Sequence, residues 1–167
     1  METRWLTSEE LAAWVRLTAV LELLPSRLDS QLRREAGLTY FEYYVLAMLS
    51  EAPGRLLRMT DLAAQTNASL PRLSHVVRRL EDRGLVRRSP CPEDGRATNA
   101  TLTDDGWRTI EGAAPGHVRT ARELVVDALT PEQIGQLTTI TEAMLQRLDP
   151  AGRMSPLYRR HDRPAED

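Results

Sequence analysis

Seven arginines lie close together in the middle of the chain, and their chemistry suits the binding of phosphate groups. They fall within 25 positions and are Arg72, Arg78, Arg79, Arg83, Arg87, Arg88 and Arg96. A guanidinium group is always charged and presents its N–H donors in a planar fork that matches phosphate oxygens. A cluster of such groups attracts a polyanion. The alternative is a solvated surface on which these arginines pair with acidic side chains.

The charge of the chain is unevenly distributed. The formal net charge is −2, which by itself argues against a nucleic-acid partner. Residues 55–108, however, contain ten arginines and seven acidic residues, whereas the rest of the chain contains twelve arginines and seventeen acidic residues. The middle segment is therefore positive and the flanking segments are negative. This distribution favours a phosphate-binding face without deciding between the two interpretations.

Residues for catalysis or metal binding are scarce. Three histidines and one cysteine are too few and too scattered for a structural zinc site. We find no nucleophile and base at a suggestive spacing and no glycine-rich loop that would cradle a phosphate. We therefore expect no enzyme activity, no metal and no cofactor.

Length and composition predict an ordinary globular protein. The chain has 167 residues, of which 41% are hydrophobic and 28% charged, which corresponds to one domain or two small lobes. No apolar run reaches the ~18 residues of a membrane span, and the first ten residues do not resemble a secretory signal. Cys91, as the single cysteine, cannot form a disulfide within the chain. We expect a cytoplasmic protein without a membrane partner.

A long helix is predicted at the N-terminus, from Ser8 to about Ala36. Thr7 and Glu10 have the spacing of a capping box, and Gly37 follows at the position of a left-handed cap. Leucines recur along it at roughly 3.5-residue spacing, which is typical of a helix that packs along another helix. Pro25 is expected to kink this helix or to split it in two.

The middle of the chain predicts a helix-turn-helix followed by a β-hairpin. Helices are expected from Tyr40 to Glu51 behind a capping box of Thr39 and Glu42, from a Thr60 cap to Gln65, and from a Ser69 cap to Arg83. One short strand is expected within residues 55–59, and two more at 85–89 and 97–102. The last two strands flank turn residues, so they form a hairpin that projects as a wing.

Two further helices are predicted at the C-terminus. One runs from Asp104 to about Ala128 behind a Thr103 cap, with a bend at 115–116, and the other begins at Pro131 behind a Thr130 cap. The fold class is therefore mainly α with a small β wing. The expected divisions are an N-terminal dimerisation helix (1–37), a winged helix-turn-helix lobe (38–103), C-terminal dimerisation helices (104–150) and a flexible tail (151–167). The apolar stripes of the terminal helices favour a two-fold dimer, and a closed monomeric bundle is the alternative.

Several motifs in this order resemble the MarR family of transcriptional regulators. They are Leu62-Ala63-Ala64, the run from Leu73 to Arg88, Pro92-Glu93-Asp94-Gly95-Arg96, and Leu102-Thr103-Asp104-Asp105-Gly106. The resemblance covers residues 8 to 149. It implies a bacterial, cytoplasmic homodimer that binds double-stranded DNA at a pseudo-palindromic operator and associates with the nucleoid when bound. Repression is the family default. A winged helix used only as a protein-interaction module is the alternative function.

The predicted DNA-binding residues lie on the fourth helix and on the wing. A recognition helix enters the major groove with its N-terminal residues at the base edges, and a wing arginine suits a narrow minor groove. Arg72 is expected to bond a guanine or to clamp a phosphate, and at most one of Arg87 and Arg88 faces the DNA. The resemblance implies that Asp94 positions Arg96. The full set is Ser69, Pro71, Arg72, Ser74, His75, Arg78, Arg79, Arg88, Asp94 and Arg96.

Arg78, Arg79 and Arg83 are expected to meet either DNA phosphates or the acids Glu81 and Asp82. Cys91 lies between two prolines in the turn of the wing, where we expect an exposed thiol beside the DNA.

The resemblance also implies a small aromatic or anionic effector, held between the dimerisation helices and the DNA-binding lobe. Candidate lining residues are Trp14, Leu17, Tyr40, Tyr43, Tyr44, Met48 and Trp107. Nearby Arg16 and Arg27 would suit an anionic ligand. The alternative is that these aromatic residues form an ordinary core, as aromatic residues at helical spacing commonly do.

Overall fold

The computed structural model describes residues 2–160 and Asp162, and most of them are helical. The elements are α1 (Ser8–Ala36), α2 (Tyr40–Glu51), β1 (Leu56–Arg58), α3 (Met59–Gln65), α4 (Leu70–Asp82), β2 (Val86–Pro90), β3 (Thr98–Leu102), α5 (Asp104–Leu124), α6 (Pro131–Leu148) and α7 (Ser155–Tyr158). Short 3-10 turns cover Pro53–Arg55 and Val126–Ala128. The three strands form one antiparallel sheet in the order β1-β3-β2. This confirms the predicted fold class, mainly α with a small β wing.

The N-terminal helix forms as its sequence predicts, with one difference. The Thr7 side chain accepts from the Glu10 N–H, the Glu10 carboxylate accepts from the Thr7 N–H, and Gly37 adopts φ 63° at the C-terminal end. The helix continues through Pro25 rather than splitting there. Its N-terminal half leaves large apolar side chains exposed, including Val20 and Leu23. Only residues near its C-terminal end, such as Leu28 and Leu32, are buried.

The helix-turn-helix places α4 against the core. The Ser69 hydroxyl accepts from the Arg72 N–H at 3.4 Å, as expected of an N-cap. Leu73, Val77 and Leu80 are fully buried and mark the inward face of α4. The predicted Thr60 cap of α3 is wrong. Helix α3 begins at Met59, so its N-cap is Arg58, two residues earlier than predicted, and no side chain caps it because β1 runs directly into it.

The wing is formed by β2 and β3, with β1 on the other side of β3. The registers place Val86 opposite Leu102 and Leu56 opposite Thr101. Strands β2 and β3 each begin one residue later than predicted. At the tip, the Cys91 N–H donates to the Ala97 carbonyl at 2.8 Å. This bond closes the turn from which Arg96 projects.

Gly106 brings the start of α5 into close contact with the wing. A Cβ atom at this position would lie 2.1 Å from the Leu85 carbonyl oxygen and 2.6 Å from Leu102 Cδ1. No other amino acid fits without moving the helix, which explains a glycine inside the first turn. Helix α5 is continuous through Pro115 and ends at Leu124, earlier than expected, and the bend at 115–116 stays a prediction.

The C-terminal helix α6 begins with the predicted capping box of Thr130 and Gln133 and buries none of its residues. Beyond it, the predicted flexible tail begins at residue 151. Its described part contains α7, with Leu157 against the core and an ion pair between Arg160 and Glu51, and the flexibility of the tail stays a prediction. Residues 161 and 163–167 of that tail lie outside the described residues. The domain boundaries at 37, 103 and 150 stay predictions. In the described part, no helix is long and apolar enough to cross a membrane.

Candidate nucleic-acid interface

The N-terminal half of α4 presents several of the predicted contact residues to solvent. Ser69, Pro71, His75 and Arg78 are exposed, and Ser74 is half-buried. At 3.6 residues per turn, positions 71, 75 and 78 lie on the side of α4 opposite the buried leucines. This face carries one arginine, one histidine and short polar side chains, so it suits contacts with a polar, anionic surface.

Arg72 is exposed, and its guanidinium group rests on an aromatic ring. Its Cζ lies 4.3 Å from the centroid of the Phe41 ring at the start of α2. Within the described residues, no carboxylate lies within 4 Å of this guanidinium. The N–H donors of Arg72 are therefore not neutralised by an acid. Sequence reasoning missed Phe41, whose single signal is that it is the only phenylalanine in the chain.

Arg79 is bound to a buried carboxylate instead. The guanidinium lies 3.1 Å from Oε1 of Glu42, which is 2% exposed, and Arg83 lies 3.9 Å from Oε2. The other role of Glu42 is local, since its Oε2 accepts from the Thr39 N–H at 2.8 Å. Of the two alternatives expected for Arg79 and Arg83, pairing with Glu81 or Asp82 is not what the described residues show, and contact with DNA phosphates stays a prediction. Glu42 was recognised from sequence only as a capping residue, because its arginine partners lie on another helix.

Arg88 pairs with Glu81 across the end of α4. The backbone N–H and Nε of Arg88 donate to the Glu81 carboxylate at 2.9 and 2.8 Å. The backbone bond, followed by the guanidinium, holds the pKa of Glu81 below its usual range. Arg87 is exposed and Arg88 half-buried, so the expected alternation along the strand is present. Of these two arginines, Arg88 is the one predicted to contact DNA, and it already forms an ion pair with Glu81.

A small pocket between α4 and the wing gathers three predicted contact residues. Its volume is about 190 Å³, and Ser74, Arg88 and Arg96 contribute to its walls. The remaining lining residues are Met59, Thr60, Leu70, Ala97 and Thr98. A hydroxyl and two guanidinium groups around one concavity can donate hydrogen bonds to an anionic oxygen.

Asp94 positions the backbone of Arg96. Its Oδ1 accepts from the Arg96 N–H at 3.1 Å, which leaves the Arg96 guanidinium exposed at the tip of the wing. The neighbouring Glu93 pairs with Arg58 of β1 at 3.3 Å. Glu93 therefore links the wing tip to β1, and Asp94 fixes the backbone of the turn. The Arg96 side chain projects from this turn.

Cys91 is not an exposed thiol. It is 5% exposed, so the expectation of an accessible sulfur beside the DNA is wrong. The turn folds back over the side chain through the Asp94 and Ala97 bonds. The backbone N–H of Glu93, and to a lesser extent that of Asp94, lower the pKa of the Cys91 thiol.

The seven residues predicted to line an effector pocket are not brought together in the single chain. Trp14 is exposed and Leu17 half-buried on α1, whereas Met48 lies in the core. The Tyr44 hydroxyl donates to the Gln65 carbonyl at 3.0 Å, and burial raises the pKa of this phenol to about 12. Tyr44 therefore braces α3 instead of facing a ligand.

Tyr40 and Tyr43 share a partner that sequence reasoning missed. The imidazole of His117 on α5 lies 4.4 Å from the Tyr43 ring and 6.3 Å from the Tyr40 ring, between centroids. Burial lowers the pKa of His117. No pattern in the sequence links His117 to α2, because the contact depends on how α5 crosses that helix.

Tyr43 and Trp107 line one open groove between α2 and α5. Its volume is about 530 Å³, and the other lining residues are Ala47, Ser50, Glu51, Ile110, Glu111, Ala114, Pro115 and Val118. The Cζ of Arg55 lies 4.2 Å from the centroid of the Trp107 ring, and its Nη1 lies 3.2 Å from Oδ1 of Asp104. Arg16 and Arg27 do not line this groove. Its walls are mainly apolar, with two acidic side chains, so it suits an aromatic molecule better than an anion.

Comparison with solved structures finds close relatives over nearly the whole chain. Sco3205, a MarR family transcriptional regulator from Streptomyces coelicolor solved in complex with DNA, is 45% identical with a TM-score of 0.86. The match covers 89% of this chain and 93% of that chain. AbsC, a MarR family transcriptional regulator from the same organism, is 40% identical with a TM-score of 0.83 and covers 87% and 98% of the two chains.

Comparison of sequences leads to the same family. The HTH-type transcriptional repressor Rv2887 from Mycobacterium tuberculosis is 35% identical over 108 residues, which are 65% of this chain and 76% of that protein. The family model described as MarR family matches residues 36–97, which include the helix-turn-helix, β2 and the turn of the wing but not β3. The chain is therefore a member of the MarR family of transcriptional regulators.

Proposed function

We propose that the protein is a homodimeric, sequence-specific DNA-binding repressor that reads its operator with α4 and the wing. The observation that carries this proposal is the division among the clustered arginines. Arg79, Arg83 and Arg88 are held by acids, whereas no carboxylate in the described part of the chain pairs with Arg72, Arg78, Arg87 or Arg96. Uncompensated cations on the exposed side of a helix and at a projecting wing fit the phosphate backbone.

The relatives support two parts of the proposal, the binding of DNA and the repression of transcription. The DNA complex of Sco3205 supports a DNA partner, and the description of Rv2887 as a repressor supports repression. His75 and Ser74 on α4 supply polar groups for base edges or phosphates in the major groove. Arg96 suits a minor groove, where the negative potential is strongest when the groove is narrow.

Dimerisation is supported by apolar surface that a single chain leaves uncovered. On α6, Ile140 is 52% exposed and Leu148 79%, and on α1 Leu21 is 61% exposed. A closed monomeric bundle would bury α6, yet α6 buries none of its residues. Two copies related by a two-fold axis would cover these stripes and present two α4 helices to half-sites about 10 bp apart.

We place the site of a small effector in the groove between α2 and α5. Tyr43 and Trp107 offer aromatic surface, while Glu51 and Glu111 oppose a negative charge. We therefore favour a neutral or cationic aromatic molecule over an anion. A ligand that binds better to one separation of the DNA-binding lobes would shift the protein toward that form and change its affinity for the operator.

The test is fluorescence anisotropy of labelled duplexes from the protein's own upstream region, measured over a salt series. Saturable binding that survives unrelated competitor DNA, with a steep salt dependence, is the expected result. Arg96→Ala should make the slope of log K against log salt less negative by about one. Arg153→Ala is the matched control, since it removes an exposed arginine between α6 and α7, far from α4 in the sequence.

Equal affinity for every duplex would contradict sequence-specific binding and favour the protein-interaction alternative. If all bound fragments of the source genome also lack a common sequence, the repressor proposal fails.

A further inference from the structure

Phe41 lies outside every set of residues predicted to contact DNA, yet it supports the arginine at the N-terminus of α4. The ring belongs to the first turn of α2, and the Arg72 guanidinium lies 4.3 Å from its centroid. Phe41 is partly buried and packs against the hydrophobic core, so the ring is a fixed surface. A guanidinium group at this distance from an aromatic face is attracted by the ring quadrupole.

The first turn of α2 is itself held in place by three bonds. The Thr39 hydroxyl accepts from the Glu42 N–H at 3.0 Å, and the Glu42 carboxylate accepts from the Thr39 N–H at 2.8 Å. From α1, the Asp29 carboxylate accepts from the Tyr40 N–H at 2.8 Å. Phe41 is thus mounted on backbone that is fixed on both sides.

The same turn contacts α4 again, through Glu42. Arg72, Arg79 and Arg83 are seven and four positions apart, so they lie along one flank of α4. Two of them bind Glu42, and the remaining one stacks on Phe41. The Glu42 carboxylate compensates one positive charge, mainly that of the nearer Arg79, whereas stacking leaves the charge and the N–H edge of Arg72 available.

We infer that Phe41 is a positioning residue for DNA recognition, which holds the Arg72 guanidinium in place for a base edge. The inference rests on the proposed DNA-binding function and adds a specificity-determining residue to it. A free arginine side chain loses rotamer freedom when it binds, and a side chain already ordered by stacking loses less. The ring therefore increases affinity for the operator without contacting it.

The opposite effect is also open to measurement. If Arg72 must leave the ring to reach the DNA, the stack holds back binding and its removal will tighten the complex. The sign of the change in affinity thus separates a positioning residue from a competing one.

The test combines two variants of Phe41 with Arg72→Ala and measures anisotropy on a specific and an unrelated duplex. Phe41→Leu removes the ring and should weaken specific binding three- to tenfold, with little change on the unrelated duplex. Phe41→Tyr keeps a ring and should restore the wild-type value. In an Arg72→Ala background, Phe41→Leu should have no further effect, because the two residues act through one contact.

Equal losses on both duplexes, multiplying losses in the double variant, or tighter binding by Phe41→Leu would each overturn the inference. If the wild-type protein prefers no duplex, the proposed function fails, and the inference is then decided in the free protein. There the Nε–Hε resonance of Arg72, identified by its absence in Arg72→Lys, should be shifted upfield by the ring. Phe41→Leu should abolish the shift, whereas Tyr40→Leu, on the neighbouring residue, should preserve it. An unchanged resonance in Phe41→Leu overturns the inference whatever the DNA result.

Discussion

At the scale of single residues, Glu42 decides which arginines of α4 remain free. Its side chain is 2% exposed, and a carboxylate so far from water requires a positive partner. Arg79 at 3.1 Å and Arg83 at 3.9 Å supply that charge. Arg78, one residue away from Arg79, is exposed and has no acidic partner in the described part of the chain. Arg79 therefore stabilises the fold by pairing with Glu42, whereas the exposed Arg78 is available for contact with DNA.

The pair Arg78→Ala and Arg79→Ala tests this division. Arg79→Ala should lower the free energy of unfolding by about 1–2 kcal/mol, since Glu42 loses its nearer partner while Arg83 remains. Arg78→Ala should change stability by less than about 0.5 kcal/mol but make the salt slope of DNA binding less negative by about one. Urea unfolding and anisotropy measure the two quantities. A reduced salt slope with full stability in Arg79→Ala would show that Arg79 contacts phosphate instead.

At the scale of elements, the wing and α5 are fixed to each other by a close backbone approach. Thr103 joins them, because its hydroxyl donates to the Gly84 carbonyl at 2.6 Å and accepts from the Gly106 N–H at 3.0 Å. Gly106 then allows α5 to pass the Leu85 carbonyl without a side chain between them. The orientation of the wing is thereby coupled to α5, which leads to α6, a proposed dimerisation element.

Two glycines on α5 separate this packing requirement from helix propensity. Gly106→Ala should lower the free energy of unfolding by about 3 kcal/mol, because the added methyl group meets backbone that has no room to move. Gly112→Ala, on an exposed face of the same helix with nothing within 4 Å of a new Cβ, should raise it by about 0.5–1 kcal/mol. Thermal and urea unfolding of both variants provide the comparison. Equal stabilisation by the two substitutions would contradict the close approach.

At the scale of the whole molecule, the single chain is incomplete on its apolar side. The exposed stripe of α6 includes Leu137, Ile140, Met144 and Leu148, which recur on one face of the helix. The N-terminal half of α1 carries a similar set, with Leu11, Trp14 and Val15 at least half exposed. Contiguous apolar surface of this extent marks an interaction site, and a second copy carries the matching surface.

Ile140→Glu tests the assembly. The substitution places a charge in the stripe twice per dimer, and it should weaken association by at least about 3 kcal/mol, or about a hundredfold. Thr139→Glu adds the same charge on the other side of α6 and should leave the dimer intact. Sedimentation velocity gives the oligomeric state, and anisotropy should show weaker operator binding for Ile140→Glu alone. If Ile140→Glu stays dimeric, the interface lies elsewhere.

Local patterns in the sequence predicted helices α1 to α6, most of their caps, the wing and the resemblance to the family. Capping boxes at Thr7, Thr39 and Thr130 and the left-handed Gly37 involve residues a few positions apart, so they can be read locally. The position of Arg96 in the turn of the wing was predicted for the same reason, whereas the role of Asp94, whose Oδ1 accepts from the Arg96 N–H, was implied by the family resemblance.

Tertiary structure alone decided which arginines are free and which of the other predicted side chains meet. Glu42 reaches Arg79, Phe41 reaches Arg72, and His117 reaches Tyr43 across different helices, at separations that no local pattern encodes. Cys91 is buried by the fold of its turn, and the predicted effector residues are separated because α1, α2 and α5 direct them to different sides. Charge and burial depend on neighbours in space, whereas caps and turns depend on neighbours in the chain.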